Sequence, residues 1–147
     1  MKKLMTTAND IALTTLRLVL GVVFFAHGAQ KMLGWFGGYG FSGTMGYLTH
    51  MAHLHSPVAF LVICIEFFGG LGLIVGLLTR VAAFGIGVEM IGAVLTVHLA
   101  NGFFMNWAGN QKGEGYEYHL LAIAIAGVLL SRGAGAFSVD RALANKP

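Results

Sequence analysis

The chain is short of cysteine and of charge, and each scarcity removes a class of protein. Cys64 stands alone, so no disulfide scaffold can form within the chain. Only 10% of the 147 residues are Asp, Glu, Lys or Arg, against roughly 25% in a soluble domain. That is too little charge to cover a water-facing surface, and a soluble globule is excluded. Nine basic residues outnumber six acidic ones for a formal charge of +3, but they are scattered, and nucleic-acid binding has no footprint. Disorder is excluded by what is abundant instead: 56% of the residues are hydrophobic and the mean hydropathy is +0.76. The composition is that of a protein embedded in a lipid bilayer.

A spanning helix needs about 20 mainly apolar residues at ~1.5 Å each. Four windows qualify, at about residues 11–33, 57–78, 81–100 and 116–131, and the expected fold is an all-α four-helix membrane bundle forming one domain over 1–147. Pro57 suits the first turn of the second span, where its missing N–H is not needed. Lys2, Lys3, Arg80, Arg132, Arg141 and Lys146 lie at the termini or between the second and third spans, while Lys31 and Lys112 flank the other connections. The positive-inside rule then places both termini in the cytoplasm. Lys2, Lys3 and the apolar run 18–26 also suggest a signal peptide. Arg17 interrupts the approach to that run, and cleavage would leave three spans with their charge bias disturbed.

The long connection after the first span opens with Gly34, Gly37, Gly38 and Gly40, suited to a tight reversal. Ser42 then caps an expected short helix over 43–53, with Met45, Leu48, Met51 and Ala52 on one side, lying on the membrane or folding back over the bundle. Trp35, Phe36, Tyr39 and Tyr47 fit an aromatic belt at the outer headgroup level.

Two segments look alike. Gly76-Leu77-Leu78-Thr79-Arg80 ends the second span much as Val128-Leu129-Leu130-Ser131-Arg132 ends the fourth, and His27-Gly28-Ala29-Gln30 matches His98-Leu99-Ala100-Asn101. The pattern predicts a parallel internal repeat of helices one-two and three-four. Counting ~1.5 Å per residue from the cytoplasmic ends, Glu66 stands ~21 Å up, Glu117 ~22 Å, His27 ~25 Å and His98 ~27 Å. With His119 and Gln30 close by, the two His and two Glu form an expected polar pocket open toward the outer face.

Such a set can bind a transition metal, hold a quinone head while moving protons, or simply tie the helices together by hydrogen bonds. No HxxE or HExxH spacing favours the metal. Arg17 and Glu89 fall at similar depth, ~10 and ~13 Å, and an ion pair between them is expected. Cys64 has the character of an inert buried thiol, and His50, His53 and His55, whose spacing invites a metal reading, have that of pH-sensitive surface residues in a loop without a Cys or carboxylate neighbour.

Taken together, the run from His27 to Gly38, the span from Glu66 to Arg80, the run from His98 to Phe104, Glu117-Tyr118 and the ending Phe137-Ser138-Val139-Asp140-Arg141 resemble the DoxX family of small bacterial inner-membrane proteins. The resemblance covers roughly residues 11–141. It implies a multi-pass inner-membrane protein, linked to thiosulfate:quinone oxidoreductases through DoxD-type subunits and to complexes handling oxidative or thiol stress. It makes His27, Gln30, Lys31, Glu66, His98 and Glu117 the candidate ligand site, to which Asn101 and His119 are added by position. A quinone is the implied cofactor, with redox partner proteins and a homo-oligomer as implied partners. The chain has no cysteine pair or recognisable cofactor motif for acting alone as a thiosulfate oxidase. A non-enzymatic membrane assembly or partner-binding protein is the other expectation.

Overall fold

Asp10 opens the first long helix. Its carboxylate accepts from the backbone N–H groups of Ala12 at 2.8 Å and Leu13 at 3.3 Å, satisfying donors that a helix start leaves unpaired. The helix Ile11–Leu33 then runs until Gly34 takes a left-handed φ of 75°. The computed structural model describes residues 2–145, which are helical with connecting turns and contain no strand. Lys146, one of the basic residues on which the expected orientation rests, lies outside them.

The second span, Ser56–Val75, carries Pro57 in its first turn and widens into a π turn at Ile65–Gly69. It stops at Gly76, short of the expected residue 78, because Gly76 (φ 71°) and Leu78 (φ 51°) turn the chain directly into the third span, Thr79–Asn101. That span has its own π turn at Val94–His98. A fourth long helix, Glu117–Arg132, has 16 residues. Among the described residues, three helices are long and apolar enough to cross a membrane.

One core joins all four. Leu20 and Phe24 from the first, Leu73 from the second, Ile86 and Met90 from the third, and Ala122, Ala126 and Leu129 from the fourth pack together. Val19, Val22, Phe60, Leu61, Val88, Leu95 and Leu121 meanwhile face outward. Apolar residues inside and out fit a hydrocarbon surround rather than water. The first two spans meet backbone to backbone: a Cβ at Gly28 would run into the Phe67 main chain, and one at Gly70 into that of Phe25. Small residues at such a contact let dispersion replace the missing hydrophobic drive between helices in lipid.

At the end that holds both termini, Arg17 and Asp140 tie the chain together. Arg17 is 1% exposed, and its guanidinium donates to the carbonyls of Leu73 (2.5 Å), Ile74 (2.8 Å), Ala134 (3.0 Å) and Phe137 (3.1 Å). Two of these are last-turn carbonyls of the second span, where positive charge is favoured. Asp140 accepts from the N–H groups of Leu78 (2.7 Å) and Thr79 (2.9 Å), capping the third span. The expected Arg17–Glu89 ion pair is therefore not formed. Similar depth alone does not make a contact: Arg17 points toward the hairpin turn and has Asp140 as its counter-charge.

The connecting helix Gly40–Gly46, extended by a π turn at Tyr47–Met51, begins three residues before the expected start. Gly38 packs directly on the Gln30 main chain and sets the segment down early. Ser42 therefore lies inside the helix and caps nothing. Thr44 is the buried side chain, and Met51 faces outward at 70% exposure.

Gly28→Ala is expected to lower the stability of the detergent-solubilised protein by roughly 1–3 kcal/mol through forced separation of the first two spans. Gly92→Ala, where an added methyl meets nothing within 4 Å, should leave it unchanged or raise it by up to about 1 kcal/mol. Thermal melting of the two variants side by side checks this; equal melting would contradict the close contact.

Candidate functional site

Glu66 sits inside the π turn of the second span, with only 5% of its surface exposed. π turns are rare and gather at functional sites. The contact of Gly28 with Phe67 brings the last turn of the first span alongside, and Lys31 reaches across to form an ion pair with the Glu66 carboxylate. From the third span, the Glu89 carboxyl lies within hydrogen-bonding reach of Glu66 and close to Lys31. Its Oε2 is buried with no partner among the described residues. From the fourth helix, Tyr118 is near enough to feel the charge of both carboxyls. Each long helix thus contributes one ionisable side chain to a single cluster.

Beside this cluster, at the end away from the termini, is a cavity of about 290 Å³. Gln30, Lys31, Tyr39, Thr44, Tyr47 and Leu48 line it, together with Gly37 and Gly38. Lys31 belongs to both cavity and cluster, so a molecule in the cavity reaches the buried charges through its ammonium.

A second pair lies between the third and fourth helices. The rings of His98 and His119 are 4.0 Å apart, centroid to centroid, at 41°. His98 Nδ1 is 2.8 Å from the Glu114 carbonyl oxygen; a carbonyl only accepts, so Nδ1 carries the hydrogen and Nε2 is left as the base. Asn101 Nδ2 donates to the same carbonyl at 3.1 Å. His119 is 6% exposed, and its Nδ1 has no partner among the described residues.

The expected residues divide accordingly. Lys31 and Glu66 pair, Gln30 lines the cavity beside them, and His98, His119 and Asn101 form the neighbouring group. His27 is exposed on the first span, because Gly28 and Ala29 take the packed face and successive helical residues point about 100° apart. Glu117 accepts from Met105 N (3.0 Å) and Trp107 Nε1 (3.3 Å) and so holds the preceding loop. The ring of two imidazoles and two carboxylates is not assembled. Among the described residues, no group of three or more His, Cys, Asp or Glu is placed to hold a metal, His50, His53 and His55 included. Cys64 is a half-buried free thiol.

Glu89 and Tyr118 were missed as site residues, yet a signal for Glu89 was present. Glu66 stands eleven residues before Leu77 and Glu89 eleven after Leu78, so an antiparallel hairpin turning there sets them opposite one another.

The comparisons with known proteins agree on one assignment. The DoxX family model matches residues 12–99. The chain belongs to the DoxX family. It is 33% identical to the Bacillus subtilis (strain 168) protein named "Putative oxidoreductase CatD", over 82% of this chain and 80% of that one. It is 31% identical to "Inner membrane protein YqjF" of Escherichia coli (strain K12), over 99% of each. No solved structure matches it. The DoxX match takes in Lys31, Glu66, Glu89 and His98; Tyr118 and His119 lie beyond it.

In this DoxX protein Lys31→Met strands two carboxyls without a counter-charge, and a loss of about 3 kcal/mol is expected. The double variant Lys31→Met/Glu66→Gln should lose less, because the stranded charge goes too. Thermal melting at neutral pH reads both, and a double variant melting lower than Lys31→Met would show that the ion pair is not what Lys31 contributes.

Proposed function

We propose that this DoxX protein is a four-helix binding subunit of the bacterial inner membrane, with both termini cytoplasmic, that takes a quinone-like ligand into the cavity beside Lys31 as part of a thiosulfate, thiol or oxidative-stress redox system. The observation that carries this reading is the cluster itself: an ammonium, two carboxyls and a phenol, one from each helix, at the edge of a small cavity. Ionisable groups inside a membrane protein are costly and mark function by default. A quinone head has two carbonyl oxygens that gain protons as it is reduced. The Lys31 ammonium is set to donate to one of them, Gln30 or Thr44 to the other, and the carboxyl pair is a proton source. Electrons come from a partner protein.

The relatives lend support at a coarser level: one is named an oxidoreductase, though as putative, and the other an inner membrane protein. That the fourth helix also crosses the bilayer is supported by its outward-facing Leu120, Leu121 and Leu130. A two-fold repeat is supported by matching closures, since Arg17 donates to the last carbonyls of the second helix and Arg80 to the carbonyls of Leu130 and Ser131 in the fourth.

Titration of a short-tailed benzoquinone into nanodisc-embedded protein, followed by calorimetry, tests the proposal. Saturable binding is expected, weakened roughly tenfold in Lys31→Met and Thr44→Val by loss of a buried hydrogen bond each, and unchanged in His27→Ala. No saturable binding, or equal binding by Lys31→Met, would overturn it and leave a non-enzymatic assembly role.

A further inference from the structure

The chain has six acidic residues, and four of them have their carboxylates committed to N–H donors. Asp10 accepts from Ala12 and Leu13, Glu114 from Asn106, Glu117 from Met105 and Trp107, and Asp140 from Leu78 and Thr79. Glu66 and Glu89 instead face each other, with Lys31 as the cation beside them. Two carboxyls in hydrogen-bonding contact need a proton between them, since an O–H must donate to the other oxygen. One ammonium, one carboxylate and one carboxylic acid also make the cluster neutral, the state hydrocarbon favours. The groups facing it are Lys31 from the first span and Tyr118 from the fourth helix, with His119 next to Tyr118 and His98 stacked on His119. His98 is half-buried at the loop end, whereas His119 is buried and keeps an unpartnered ring nitrogen.

We propose that Glu66 and Glu89 hold one exchangeable proton between them and that the stacked His98–His119 pair connects it to the loop-end surface. A proton taken up at His98 Nε2 passes to His119 and on past Tyr118 to the carboxyl pair as the proton the pair already holds leaves it, to a ligand or, without one, back along the same route, so the cluster stays neutral and both imidazoles return to neutral. The purpose of this route, supplying the ligand with protons, rests on the function proposed above. Its test uses no ligand, so a quinone that fails to bind leaves it standing.

Infrared spectroscopy of the nanodisc-embedded full chain is the experiment. At neutral pH the C=O stretch of one protonated carboxylic acid is expected. It should vanish in Glu89→Gln, which keeps the Lys31–Glu66 pair, and also in Glu66→Gln, because a single carboxyl beside Lys31 ionises. In D₂O the band shifts as the proton exchanges. His119→Phe, and independently His98→Phe, should slow that shift roughly tenfold or more, while His27→Phe should not. Absence of the band in the native chain, its survival in both Gln variants, or an unaltered exchange rate in both the His119 and His98 variants would overturn the proposal.

Discussion

Hydrocarbon offers no water to a buried charge, so every ionised group the chain takes inside must bring its own partner or hydrogen bonds. Arg17 answers this with four backbone carbonyls at the terminal end, and Lys31 answers it with Glu66 at the other. Much of the remaining architecture follows from these two solutions. Gly76 ends the second span so that its last carbonyls are free for Arg17, and Asp140 folds the carboxyl-terminal segment back to cap the third span. Gly28 and Gly70 draw the first two spans close enough for Lys31 to reach Glu66.

The all-helical class and the three membrane-length helices were legible because apolar runs bounded by glycine, proline and charge are set by local chemistry. Which side chains meet was legible only in part. Helical rise gives depth without direction, so Arg17 was matched with Glu89 by height although their side chains serve opposite ends of the protein. The same arithmetic put His27 in the pocket, where Gly28 and Ala29 occupy the packed face instead. Equal distance from a tight turn is a better guide, one that depth alone does not use, and Glu66 and Glu89 satisfy that relation. Tyr118 had no such mark: a tyrosine near a helix end reads equally well as an interfacial anchor.

Membership of the DoxX family places the chain among membrane proteins and says less about chemistry. Lys31, Glu66 and Glu89 lie inside the matched region, as does His98, while the partners supplied by the fourth helix lie beyond it. Of the three π turns among the described residues, the two within the membrane-length spans hold Glu66 and His98, so there the departures from regular helix coincide with the buried acid and with the stacked imidazole. A helix gives up regular hydrogen bonding there and gains the placement of one polar side chain.

The convergence of the second and third spans at Glu66 and Glu89 is the claim on which the site depends, and cysteine cross-linking measures it directly. In a Cys64→Ala background, the pair Glu66→Cys/Glu89→Cys should be joined by a short bifunctional thiol reagent in membranes, while Arg17→Cys/Glu89→Cys should not. Cross-linking of the second pair in preference to the first would contradict the account.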